Sequence, residues 1–160
     1  MPTARHGPRS LQEEIGKTAS FDSPEQEAYL NLVRTHAVLA GEFAQLFKEV
    51  GLSDSQYNAL RIIGAAGARG VRSETVGAQM VAKDPDTTRL IDRLVSAGLA
   101  ARTRSEEDRR CVVVTITGEG RQVLRRIRPR VDRLHRQQLG HLGRRQLAQL
   151  NELLFRARYP

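Results

Sequence analysis

Tryptophan is absent from the 160-residue chain, cysteine occurs once, as Cys111, and lysine three times, as Lys17, Lys48 and Lys83. With only four phenylalanines and three tyrosines, leucine, valine, isoleucine and alanine must fill whatever core there is. A single cysteine excludes an intramolecular disulfide framework and suits a reducing cytoplasm, the expected location. No apolar run approaches the roughly 18 residues needed to cross a bilayer. The leading MPTARHGPRS is basic but has no apolar segment behind it, so it does not read as a secretory signal. There is no Walker sequence, nucleophile elbow or dinucleotide glycine signature, and GAAGARG lacks the strand and lysine such a loop requires. The four histidines form no metal pattern, because His135 and His141 straddle the expected end of a helix rather than sharing one helical face. No catalytic residue, metal or cofactor is therefore expected, and an enzyme is disfavoured.

Positive charge is what the chain has in excess. Lysine and arginine total 26 against 18 acidic residues, a net charge of +8, and nearly all of the basic residues are arginine. Such a surface attracts polyanions, nucleic acid before anionic membrane, and no membrane association is expected. The length allows one compact core, or one small module with helices left over for a partner interface.

Residues 1–23 mix Pro, Gly, Ser and charges and read as a loose arm with a short helical turn near LQEEIG. From Pro24 to Val50, apolar residues including Leu32, Val33, Leu39, Phe43 and Phe47 recur mainly at three- and four-residue intervals and predict a long amphipathic helix, which Gly51 stops. In LSDSQY, Ser53 can cap with Gln56 reciprocating while Leu52 and Tyr57 form an apolar staple, so a helix runs from about Asp54 to Ile63. GAAGARG follows as a flexible break, then a short helix from Ser73 or Glu74 to Met80. Asp84 is expected to begin the next helix, with Pro85 at its first position; Leu90, Ile91, Leu94 and Val95 form its buried stripe, and Gly98 ends it. LAARTR and CVVVTIT read as strands around the polar turn SEEDRR. Thr117 caps a helix to about Leu139 that Pro129 should bend, and a last helix over Arg144 to Arg158 carries Leu147, Leu150, Leu153 and Leu154 on one side. The expected organisation is an arm over 1–23, an interface helix over 24–50, a central module over 51–120 and interface helices over 121–160.

The two short helices joined by VAKDP have the spacing of a helix-turn-helix, whose second helix enters the DNA major groove. Thr87, Thr88 and Arg89 stand at the leading end of that helix and Arg93 one turn further, where side chains must donate to base edges and phosphates. Arg109 and Arg110 project from the SEEDRR turn, where an arginine can enter the adjacent minor groove. Asp108 cannot be a phosphate ligand and instead serves to hold an arginine or the turn backbone. The bland alternatives are that Thr87 is satisfied near the helix cap and that the seven arginines from Arg121 to Arg136 form an ordinary solvated face.

SEEDRRCVVVTITGEG resembles the wing and following helix start of the MarR family of winged helix-turn-helix regulators, with Asp108, Arg110, Val112, Val114, Ile116, Thr117 and Gly120 in the family's pattern. TTRLIDRLVSAGLAARTRS resembles the family's recognition helix and first wing strand, and GLSDSQYNALRII the helix before the DNA-reading pair. VAKDPD departs from the family's usual short run before the recognition helix. The resemblance implies a mainly α fold with a two- or three-stranded antiparallel β wing. It also implies a homodimer built by terminal helices, a pseudo-palindromic double-stranded DNA operator, and release by a small aromatic or phenolic effector or by oxidation. The family's minor-groove arginine falls on Arg110, with Asp108 orienting it, and its major-groove contacts fall on Thr87, Thr88 and Arg89. Phe43, Phe47 and Tyr57 offer aromatic walls for an effector, or else are core. Cys111, at the start of a strand near positive charge, suggests a redox-responsive alternative, and a winged-helix protein-interaction adaptor is the alternative outside DNA binding.

Overall fold

The computed structural model describes residues 10–83, 86–104 and 111–159. The chain divides into two compact units, residues 1–42 and 43–160. The first holds α1 (Leu11–Glu14) and most of α2 (Pro24–Lys48). Ser10 caps α1 through the Glu13 amide at 3.2 Å, and Arg34 Nε on α2 donates to Glu14 Oε1 at 2.7 Å. The second unit begins with the last turn of α2. It continues through α3 (Asp54–Ala65), α4 (Ser73–Gln79), α5 (Thr87–Ser96), the strands β1 (Ala100–Arg104) and β2 (Val112–Ile116), α6 (Gly118–Leu139) and α7 (Gly143–Arg156). Short 3-10 turns at Gly67–Arg69 and Gly140–Leu142 lead out of α3 and into α7.

The core of this unit draws its most deeply buried side chains from five elements: Leu60 and Ile63 of α3, Val76 of α4, Ile91 and Leu94 of α5, Val114 of β2 and Ile127 of α6. Each contributes about 1.5–3 kcal/mol by leaving water, and together they lock the α5 stripe against α3 and α4. α3 begins as its sequence predicts: the Gln56 amide donates to Ser53 Oγ at 3.2 Å, the Ser53 amide to Gln56 Oε1 at 2.8 Å, and Leu52 and Tyr57 are both buried.

β1 pairs antiparallel with β2 in the register Ala100 with Ile116 through Arg104 with Val112. Val71 adds a third, one-residue strand: its amide donates to the Val114 carbonyl at 2.9 Å and its carbonyl accepts from the Val114 amide at 2.8 Å. The GAAGARG segment is therefore not the flexible break its composition suggests. Gly70, at φ 69°, lies so close beneath the ribbon that a Cβ would meet Val113 Cγ2 at 2.8 Å and Thr115 Cγ2 at 2.9 Å, and this close approach sets Val71 beside β2.

The start of α5 also departs from expectation. Asp86, not Asp84, is its N-cap, with Oδ1 accepting from the Arg89 amide at 3.0 Å; Asp84 and Pro85 lie outside the described residues. A short acidic side chain two residues later closes the orphan amide equally well, and it puts Thr87 at the first helical position. At the other end, Gly98 has φ 71°, its amide donates to the Val95 carbonyl and that of Leu99 to the Leu94 carbonyl, each at 2.9 Å. α6 runs through Pro129 without interruption from Gly118 to Leu139. α7 buries no residue at all, and Leu153, Phe155 and the following Tyr159 are exposed.

Candidate nucleic-acid interface

α5 turns its apolar stripe inward and its polar side out. Leu90, Ile91 and Leu94 are buried, while Thr88, Arg89, Asp92, Arg93 and Ser96 are exposed. Three of the four residues predicted to read the major groove, Thr88, Arg89 and Arg93, thus share the open face. Thr87 does not stand with them: it is half-buried against α4, where a Cβ on Gly77 would lie 2.9 Å from its Oγ1. The absence of a side chain at Gly77 lets α4 approach the first turn of α5 this closely.

Two positioning contacts escaped the sequence reading. Asn58 Oδ1 on α3 accepts from the Val81 amide at 3.2 Å and ties down the turn between α4 and α5. Arg102 on β1 donates from Nη2 to Asp92 Oδ1 at 2.5 Å and so joins the exposed face of α5 to the ribbon. Neither has a local sequence signal, because the partners are brought together only by tertiary packing. Arg89 keeps its guanidinium near the cap, with Nε 3.8 Å from Asp86 Oδ2.

The ribbon is held to the same body by a node around Thr117. Its Oγ1 donates to the Gly98 carbonyl at 2.7 Å and accepts from the Gly120 amide at 3.0 Å, while its amide donates to the Leu99 carbonyl at 3.1 Å. One residue therefore joins the end of α5, the end of β2 and the first turn of α6. Asp108, Arg109 and Arg110, assigned to the wing tip, lie outside the described residues. Cys111 is half-buried at the foot of β2, and its Sγ accepts from Arg72 Nη2 at 2.9 Å.

The three aromatic residues assigned to an effector wall stack on one another. Phe43 and Phe47 have ring centroids 5.9 Å apart, Phe47 and Tyr57 4.2 Å, and Phe43 also meets His135 at 4.8 Å. Phe47 and Tyr57 are buried in the core, and Tyr57 also lines a cavity. Burial holds the Tyr57 phenol above its ordinary value, against the opposing pull of Arg61. On α6, Arg130 grips Glu49 with both terminal nitrogens, at 2.6 and 2.9 Å, which holds the Glu49 carboxyl below its ordinary range. Among the described residues no group of His, Cys, Asp and Glu is placed to hold a metal ion, and no helix is long and apolar enough to cross a membrane.

Two short helices with an exposed polar second member, followed by an antiparallel ribbon and a capped long helix, define a winged helix-turn-helix. The sequence matches the MarR family model over residues 52–112. A solved MarR transcription factor from Planctomyces limnophilus is 38% identical, covering 84% of this chain and 98% of that one, with a TM-score of 0.63. The HTH-type transcriptional regulator FarR of Neisseria gonorrhoeae is 25% identical over 125 residues, 78% of this chain and 84% of FarR. CouR from Rhodococcus jostii RHA1, solved bound to p-coumaroyl-CoA, shares the fold at 24% identity and a TM-score of 0.74, covering 88% of this chain and 97% of CouR. The chain belongs to the MarR family: it is a winged-helix transcription regulator of a DNA-binding kind, not an enzyme.

Proposed function

We propose that this protein is a cytoplasmic, homodimeric repressor that grips a pseudo-palindromic operator and releases it when a small aromatic or phenolic effector binds. The observation that carries the DNA-reading part is the division of α5, whose Leu90, Ile91 and Leu94 are locked into the core while Thr88, Arg89 and Arg93 stand free of it. A helix seated this rigidly can insert its outer face into a major groove without rearranging. Arg109 and Arg110 then enter the neighbouring minor groove, with Asp108 orienting them, and the net charge of +8 supplies the non-specific attraction.

A dimer is supported by apolar side chains that each unit leaves on its surface. In the first, Tyr29, Leu32, Val33 and Val38 of α2 are exposed; in the second, Leu153 and Phe155 of α7. Helices with such faces pair with another copy, and two-fold symmetry would set the half-sites roughly 34 Å apart or a near multiple. The effector part draws on CouR, solved with p-coumaroyl-CoA bound, and on the cavity beside Tyr57.

The test is selection of DNA fragments by the purified protein, followed by titration of the selected sequence. Inverted half-sites and a steep loss of affinity with salt are expected. Arg89→Ala and Arg110→Ala should each weaken binding, by about 1–3 kcal/mol where the arginine reads a base. Failure to enrich any sequence, or unchanged affinity and salt slope in both variants, would refute the assignment.

A further inference from the structure

α3 carries α5 on one flank and α6 on another, and a groove of about 410 Å³ opens along the α6 flank. Gly64 lets Leu124 of α6 pack closely at its floor, since a Cβ there would stand 3.0 Å from Leu124 Cδ1. Four guanidiniums line the groove: Arg61 from α3, and Arg121, Arg125 and Arg128 at successive turns of α6. Asp132 is the single acidic residue in the lining.

These arginines are incompletely neutralised. Arg128 reaches Asp132 only at 3.9 Å, Arg121 is steadied by donating to the Ile116 carbonyl at 2.9 Å, and Arg61 lies 6.0 Å over the Tyr57 ring. The Arg125 side chain makes no ion pair or hydrogen bond among the described residues. Beside this charge the Tyr57 ring and Leu124 form an apolar wall. An ordinary solvated arginine face would have no such cavity, and an ordinary apolar pocket would not gather four like charges around one carboxylate.

We infer that the α3–α6 groove binds a small organic phosphate, with the dianionic phosphoryl group among the arginine forks and an aromatic or other apolar body against Tyr57 and Leu124. A phosphomonoester carries close to two charges at neutral pH and three strong acceptor oxygens, which match several planar guanidinium donors. A monocarboxylate would leave most of that charge unanswered, and the volume lies in the range of small-ligand sites. This names a chemical class for the effector; its regulatory use, unlike the site itself, rests on the ligand-responsive reading above.

Calorimetric titration of the full-length protein with phenyl phosphate tests the site. One molecule per chain is expected, bound more tightly than either inorganic phosphate or phenol alone. Arg61→Gln combined with Arg125→Gln should weaken it more than tenfold while the thermal unfolding curve keeps its shape and midpoint, and Arg125→Gln alone provides the milder variant should the pair unfold. Absence of binding at millimolar phenyl phosphate, or equal binding by the folded variants, would overturn the inference. So would a variant that keeps phenyl phosphate but loses affinity and salt slope for the selected DNA, since these arginines would then be backbone-phosphate contacts. Anisotropy of the selected DNA with and without phenyl phosphate reads the coupling separately: unchanged DNA affinity at a saturated groove refutes effector use and leaves the site standing.

Discussion

Replacing Gly120 by alanine tests how the wing is attached to α5. A Cβ at this position would stand 2.2 Å from the Leu99 carbonyl oxygen, 3.1 Å from its carbon and 2.8 Å from Ile116 Cγ1. Carbon and oxygen normally approach no closer than about 3.3 Å, so the backbone must yield by about 1 Å. The Leu99 carbonyl cannot swing aside cheaply, because it accepts the Thr117 amide at 3.1 Å within the node that also holds Gly98. Overpacking of this kind costs about 3 kcal/mol when the obstacle is backbone, and the better helix propensity of alanine returns about 1. A net loss of about 2 kcal/mol should lower the midpoint of thermal unfolding by about 4–8 °C for a chain of this size. Gly118, on the same turn, has nothing within 4 Å of its would-be Cβ, so Gly118→Ala should leave stability level or slightly raised. Thermal and urea unfolding followed by circular dichroism measure both variants. If Gly120→Ala melts at or above the parent protein, the helix-propensity gain has won and the close approach of α6 to Leu99 is wrong.

Three further outcomes follow from the same geometry. Arg102→Ala should change stability by no more than about 1 kcal/mol, as an exposed pair does, yet lower affinity for selected DNA several-fold by releasing Asp92 on α5; unchanged affinity would remove Arg102 as a positioning residue. Tyr57 should ionise above the ordinary tyrosine range in an ultraviolet phenolate titration of the folded protein, because burial raises its folded value. The stability this contributes is complete below the unfolded tyrosine value and is lost as pH rises through the raised folded one; a high-pH phenolate step retained unchanged in Tyr57→Phe would contradict it. Phe155→Asp should shift the protein toward monomer in analytical ultracentrifugation, whereas an unchanged dimer would take α7 out of the interface.

The sequence made α5 and its neighbours legible because their signals are local. Ser53 with Gln56, Gly98 and Thr117 each act within a few residues, and the Leu90, Ile91 and Leu94 spacing commits α5 to one buried face whatever surrounds it. The exception shows the same rule from the other side. Asp84 with Pro85 was the expected helix start, whereas the side chain that closes the Arg89 amide is that of Asp86. The Thr117 and Gly120 pattern was visible as a family motif, but its meaning as a clasp between α5, β2 and α6 was not, because Gly98 and Leu99 are distant in sequence.

By itself the sequence determined the order of the main elements, the buried faces of α3 and α5 and the sign of the charge around them, since periodicity, capping and composition act over short separations. Only the tertiary structure decided that Thr87 packs against Gly77 while Thr88 and Arg93 stay open, that Arg102 reaches Asp92, and that Arg61 joins three α6 arginines along one groove. Those pairings depend on the angles and distances at which packed helices and strands meet, and no local spacing in the chain encodes them.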